Sequence, residues 1–331
     1  MESVTTSSPI VSAKQVCKSY GKVEVLQQLD LEIAEQGIYG LLGRNGAGKS
    51  TLMRLLLGID YVDSGRVKVF GLDPAQHGVA VRQRVGYVAQ EQKFYAWMTP
   101  ADLGRFVGGL YPRWDSQQYQ QLLDRFELPA RRANGPFSGG MKARLALALA
   151  LASQPELLML DEPAAGLDPV ARREFLQVVS ERCREFGTTT LFSTHLIEDV
   201  QLIADRISVI NAGASLFSGP LTELVHQFVA LRNNAVEDSR LTVALQQRGG
   251  LNVVETTIVD TSDHRARLLI IHVPNEAQRR ELRFDLLPQL QAQGIGTGWA
   301  EVTPRAEDVI VSLLSTSTVA PNMMDVAALS T

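Results

Sequence analysis

Four short stretches carry side chains whose type and spacing suit chemistry. The first, Gly43–Thr51, reads Gly-Arg-Asn-Gly-Ala-Gly-Lys-Ser-Thr and follows the apolar run Ile38–Leu42. It fits G-x-x-x-x-G-K-[ST], a loop whose glycines let backbone N–H groups curl round phosphate oxygens. Gly43, Arg44, Asn45, Gly46, Ala47, Gly48, Lys49, Ser50 and Thr51 are therefore the expected phosphate-binding residues. Lys49 is expected to reach the β- and γ-phosphates, and the Ser50 hydroxyl to serve as a Mg2+ ligand. In the second stretch, Leu157–Pro163, an apolar strand ends in the acidic pair Asp161-Glu162. Asp161 suits a Mg2+ shell, and Glu162 suits the polarising of a water for attack on the γ-phosphate. In the third, Ser138-Gly139-Gly140 opens the helical run from Met141. Serine and glycine are poor helix formers, but their free N–H groups and the positive dipole end make an anion site. The fourth is the β-branched, apolar run Thr188–Thr194 with His195 just past it. Open α/β sheets place ligands at such strand ends.

These stretches need a scaffold, and the flanking pattern supplies one. From Ile10 to about Ser218 short apolar runs, glycine-rich turns and helical patterns alternate, the mark of an α/β fold. Gly37–Gly43, Glu156–Pro163 and Thr188–His195 read as buried strands, and Asp205–Gly219 as a hairpin. Between Gln90 and Phe137 the strand signal fades, and Tyr95, Trp97, Tyr111, Trp114 and Tyr119 are scattered among helical segments, as in a helical insertion. Past Gly219 a smaller α+β region is expected. It comprises a linking helix over Leu221–Leu231, a strand over Ala266–Val273, an amphipathic helix over Asn275–Gly294 kinked at Pro288, a short strand in Gly298–Pro304 and a helix over Arg305–Ser315. The expected domain plan is a disordered start (1–9), a phosphate-binding α/β domain (10–219, helical part about 92–150), an accessory α+β domain (220–315) and a flexible tail (316–331).

Composition bounds the function classes. The 331 residues carry a formal charge of −4 and 45% hydrophobic residues, enough for a real core and without a basic field for nucleic acid. Cys17 and Cys183 are the only cysteines, too few for a disulfide framework. No apolar run approaches the roughly 18 residues needed to span a bilayer.

Taken in order, the phosphate loop, Phe-Ser-Gly-Gly-Met, Leu-Met-Leu-Asp-Glu-Pro, Ala-Gly-Leu-Asp and Ser-Thr-His resemble the ATP-binding subunit of an ATP-binding-cassette (ABC) transporter. The resemblance covers about Val11–Gly219. It implies an α/β P-loop NTPase fold of the ABC type, with an antiparallel β subdomain, a helical subdomain and here a small α+β C-terminal domain. It also implies ATP and Mg2+ as cofactors. By resemblance, Tyr20 stacks on adenine, Gln90 contacts Mg2+ or water and senses a membrane partner, and His195 contacts the γ-phosphate. Asp168 lies in the loop that crosses a dimer interface. Ser138, Gly139 and Gly140 cap the γ-phosphate held by a second subunit. The family's usual signature is Leu-Ser-Gly-Gly-Gln. Phe137 keeps the apolar anchor, whereas Met141 removes a polar side chain, so a competent site with altered nucleotide contacts is expected.

The implied partners are a second ATPase subunit, identical or not, sandwiching two ATP, and integral membrane transporter subunits; no nucleic acid is expected. The implied location is the cytoplasmic side of the membrane. The aromatic helical region and the ending Val302–Ser315 resemble ATPases of ABC-2 type exporters of antibiotics and peptides. The rival readings are an importer subunit, a soluble ABC ATPase of translation or DNA maintenance, and a non-ABC kinase or GTPase. The last would not need the Ser138 loop.

Overall fold

The computed structural model describes residues 8–34, 36–233, 240–247, 251–259 and 265–315. The two ends expected to be loose lie outside the described residues, apart from Ser8 and Pro9. The chain divides into two compact units, one ending at Ser218 and the other beginning at Gly219.

The first unit runs β1 (Val11–Tyr20), β2 (Val23–Ile33), β3 (Ile38–Leu42), α1 (Lys49–Leu56), β4 (Ser64–Val69), α2 (Pro74–Arg82), β5 (Val85–Val88), α3 (Pro100–Gly108), α4 (Ser116–Arg125), α5 (Gly139–Ala152), β6 (Leu157–Asp161), α6 (Pro169–Phe186), β7 (Thr189–Thr194), α7 (Ile197–Ile203), β8 (Arg206–Asn211) and β9 (Ala214–Gly219). A three-stranded antiparallel sheet has the order β2-β1-β4. The main sheet has the order β5-β6-β7-β3-β8-β9, and its first five strands pair in parallel. Every residue of β3, β6 and β7 is buried, as strands covered by helices on both faces must be. β8 and β9 form the expected hairpin through Ala212-Gly213, both with positive φ (46° and 81°), the geometry a two-residue hairpin turn requires.

Strand order decides the site. The chain leaves β3 for the edge strand β5, walks back through β6 and β7 to pair again with β3, then crosses to β8. Parallel pairing puts the loops after β6, β7 and β3 side by side at one edge. The expected helical insertion forms as α3 and α4. Thr99 caps α3 in a reciprocal capping box with Asp102, and Asp115 caps α4 by accepting from the Gln118 N–H.

The second unit runs α8 (Leu221–His226), β10 (Phe228–Asn233), α9 (Arg240–Gln247), β11 (Val253–Val259), β12 (Arg265–His272), α10 (Glu276–Arg280), a π-helical stretch Glu281–Leu286, α11 (Leu287–Ala292), β13 (Ala300–Val302) and α12 (Ala306–Ser315). Its antiparallel sheet has the order β11-β12-β10-β13, the βαββαβ plan of ferredoxin-like domains. One expectation is corrected here. The linking helix stops at His226 instead of reaching Leu231. Residues 228–233 are a central strand pairing with both β12 and β13, because cross-strand pairing and burial outweigh local helix propensity. The helix expected over Asn275–Gly294 forms without a gap from Glu276 to Ala292, its regular bonding replaced by a π-helical stretch just before Pro288, whose ring and missing N–H prevent i→i−4 bonding there.

Candidate functional site

The phosphate loop is shaped by backbone constraints that only glycine meets cheaply. Gly48 has φ 102°, and a Cβ there would lie 2.5 Å from Leu26 Cδ2. A Cβ at Gly43 would lie 2.5 Å from the Ile210 carbonyl oxygen. Gly46, with φ 80°, has open space around it, and Arg44, Asn45 and Gly46 are exposed. Helix α1 follows with no side-chain cap and no acidic residue in its first turn. Its first N–H groups therefore point to an outside acceptor, as in anion-binding helix starts. Ser50 and Thr51 lie in that turn, Ser50 half-buried and Thr51 buried.

Lys49 is 4% exposed, and its ammonium donates to the Gly43 carbonyl at 2.8 Å and the Arg44 carbonyl at 3.2 Å. It also pairs with Glu162 Oε1 at 3.1 Å. The other Glu162 oxygen, Oε2, lies 3.1 Å from His195 Nδ1. Three residues read as catalytic from the sequence thus form one continuous chain, Lys49–Glu162–His195, drawn from the loops after β3, β6 and β7. The Gly43 N–H also donates to the Thr194 carbonyl at 3.3 Å, tying the β3 and β7 ends directly.

Asp161 is 2% exposed and its Oδ1 accepts from Ser193 Oγ at 2.7 Å. Ser193 also accepts the Glu162 N–H at 2.8 Å. Sequence reasoning did not single out Ser193. The available signal was a hydroxyl in an otherwise apolar buried strand, which must find a partner. It also missed Asp199, a buried carboxylate that accepts from Thr194 Oγ1 at 3.0 Å and from Arg172 Nε at 2.5 Å. That pair ties the first turn of α6 to the segment carrying His195.

The other expected residues lie around this centre. Tyr20, at the end of β1, is 40% exposed. Its hydroxyl donates to Asp60 Oδ2 at 2.5 Å, and the Lys18 and Arg54 cations lie 5.4 and 5.8 Å from its ring centroid. Partial burial, then the Asp60 contact, hold its hydroxyl pKa above the usual tyrosine value. Gln90 follows β5, where its carbonyl accepts from Gln92 Nε2 at 3.3 Å.

Ser138 caps α5 by accepting the Met141 N–H at 3.2 Å. Ser138 and Gly139 are exposed, and a Cβ at Gly139 would touch nothing. A Cβ at Gly140 would meet Leu167 Cδ2 at 3.0 Å, so this turn abuts the segment leading to Asp168. Asp168 caps α6, and the Ala171 N–H is the main cause holding its carboxyl below the usual range. Arg144 and Glu174 join α5 to α6 at 2.6 Å, so Ser138 and Asp168 belong to one linked face.

A cavity of about 600 Å³ lies at the opposite edge of the main sheet, where Arg84, Glu156 and Thr188 precede β5, β6 and β7. None of the expected site residues lines it.

Residues 26–165 match the ABC transporter family profile. The chain is 33% identical to the daunorubicin resistance ATP-binding protein DrrA3 of Streptomyces coeruleorubidus, over 88% of each chain. It is 30% identical to the ABC transporter ATP-binding protein YtrB of Bacillus subtilis, over 78% of this chain and 89% of that one. A solved ATP-binding subunit of an ABC transporter superposes with a TM-score of 0.61 at 25% identity, over 66% of this chain and 92% of that one.

Proposed function

The chain belongs to the ABC transporter family as an ATP-binding subunit, and from that premise we propose how its residues hydrolyse ATP and what that hydrolysis powers. The observation that carries the assignment is the Lys49–Glu162–His195 chain, set at the uncapped start of α1. Backbone N–H groups of Gly43–Thr51 hold the phosphates, and Lys49 exchanges Glu162 for phosphate oxygens. Glu162, so released, orients a water and takes up its proton, while His195 steadies the carboxylate from Oε2. Tyr20 offers its ring to adenine. Ser50, Asp161 and Gln90 present a donor set made only of oxygens, the chemistry of a hard cation such as Mg2+. Mg2+ supplies neutralisation of the phosphate charge when bound.

The subunit works as a dimer that sandwiches two ATP. The exposed Ser138-Gly139 turn, with the Asp168 segment beside it, meets the phosphates held by the other copy. The helical region, about 92–150, docks on the cytoplasmic end of an integral membrane subunit. Tyr95 and Trp97 support this: they are 67% and 71% exposed, with ring centroids 6.0 Å apart, just beyond Gln90. Large exposed aromatics of this kind are enriched at protein interfaces. The subunit therefore sits on the cytoplasmic side of the membrane. Among the described residues no helix is long and apolar enough to cross it. The transport is ABC-2 type export of an antibiotic, peptide or other small molecule, in keeping with the resistance role in the name of one relative.

Sizing with light scattering tests the motor. The Glu162→Gln chain is expected to dimerise only with Mg-ATP, and Ser138→Arg to abolish the dimer. A chain that stays monomeric with Mg-ATP refutes a homodimeric sandwich.

A further inference from the structure

We propose that Ser193 is a positioning residue that sets both carboxylates of the site, fixing Asp161 for the cation and Glu162 for water; this rests on the ATPase reading above. Ser193 is fully buried (0% exposed) in the last pair of the β6–β7 ladder, opposite Asp161 in register. Its oxygen accepts the Glu162 N–H at 2.8 Å. That N–H is a donor, so the hydroxyl hydrogen is excluded from that direction and goes to Asp161 Oδ1, 2.7 Å away. One hydroxyl thus has a fixed orientation and serves both acidic residues.

The two bonds have separate consequences. The bond to Oδ1 fixes the rotation of the Asp161 carboxylate and leaves the second oxygen for the cation or its water. Such outer partners of metal-binding carboxylates orient them and tune affinity. The bond to the Glu162 N–H holds a backbone that a non-glycine residue adopts at a cost, since Glu162 has φ 43°. That left-handed turn carries the Glu162 side chain to Lys49 on one side and His195 on the other. A strained backbone of this kind persists where its surroundings over-determine it, and the Ser193 hydroxyl holds its N–H while the Ala165 N–H holds its carbonyl.

The reading separates Ser193 from a serine that only fills space. Removing a packing group lowers stability but leaves the cation's contribution to nucleotide binding intact. Removing a positioning hydroxyl weakens that contribution specifically. The experiment titrates ADP calorimetrically into the full chain, once with Mg2+ and once with EDTA, for the native protein, Ser193→Ala and Ser193→Thr. The Mg2+-dependent gain in affinity is expected to fall about 10-fold or more in Ser193→Ala, the range for loss of an outer-shell partner. Affinity in EDTA is expected to stay unchanged, and Ser193→Thr to restore the gain. ATP turnover is expected to fall in Ser193→Ala with KM changed less than kcat. Should the alanine variant fold poorly, Ser193→Cys replaces the hydroxyl with a bulkier, weaker donor and carries the same comparison.

An unchanged Mg2+ gain and kcat in Ser193→Ala, with only a lower melting temperature, overturns the inference. Failure of the native chain to bind ADP under either condition overturns the ATPase reading instead, and the inference with it.

Discussion

Lys49 is paired with Glu162, and that pairing has a measurable cost for phosphate binding. Its ammonium sits 3.1 Å from Glu162 Oε1, with the two side chains 4% and 9% exposed. At an effective dielectric of about 20, two charges at that distance attract by about 5 kcal/mol, a ceiling before desolvation. In Glu162→Gln the amide oxygen still accepts from Lys49, and the loop carbonyls of Gly43 and Arg44 remain. What is lost is the attraction between the two charges, taken as about 2 kcal/mol once desolvation is set against that ceiling. Phosphate must break the pair in the native chain but not in the variant. ADP is therefore expected to bind Glu162→Gln about thirtyfold more tightly, 2 kcal/mol being about 1.5 decades in Kd. The nucleotide-free variant is expected to melt lower, because the buried Lys49 charge is less compensated. ADP without Mg2+ is the right probe, since neither hydrolysis nor dimer closure then contributes. Calorimetric titration gives Kd, and thermal unfolding with and without ADP gives the linked shift. Equal ADP affinity in the two proteins refutes the argument that Glu162 competes with phosphate for Lys49.

Two further outcomes follow from the geometry. Gly48→Ala forces a Cβ to within 2.5 Å of Leu26 Cδ2 at φ 102° and is expected to abolish measurable ADP binding, whereas Gly46→Ala, with open space around it, is expected to weaken binding only modestly; similar losses in both would refute the crowding argument. His272 is buried beside Phe228, their ring centroids 4.8 Å apart, and burial holds its pKa down at about 4 from 6.5. The unfolded chain therefore binds a proton on His272 below about pH 6.5 and the folded chain only below about 4, so this group's stabilisation is present above that window and is lost as pH falls through it. The full effect is about 3 kcal/mol at 1.36 kcal/mol per unit. Protection factors of β12 amides, exchange rates corrected for the intrinsic slowing at lower pH, are expected to fall from pH 6.5 towards 4.5, and His272→Phe to remove most of that fall; a protection factor that does not change with pH would sink it.

The site was more legible in the sequence than the accessory domain. Gly43–Thr51, Asp161-Glu162 and Ser138–Gly140 announce themselves because each needs a local run: a strand, a turn with the right glycines, then a helix start. Strands β3, β6 and β7 were equally readable, since burial on both faces leaves continuous apolar runs. Residues 228–233 were not, because six residues after a helical turn look helical until β12 and β13 pair with them. Strand β11 does carry a local signal, since Val253–Val259 is rich in β-branched residues.

The sequence by itself determined which chemistry the chain can attempt, because residue type, glycine placement and strand-to-helix order act over a few neighbouring residues. Only the tertiary structure decided which of those residues meet. Lys49, Glu162 and His195 lie far apart along the chain and converge because the sheet order sets β6, β7 and β3 side by side. The same register turns the Ser193 hydroxyl onto Asp161 and Glu162, a choice no local pattern encodes, since it depends on which strand lies next to which.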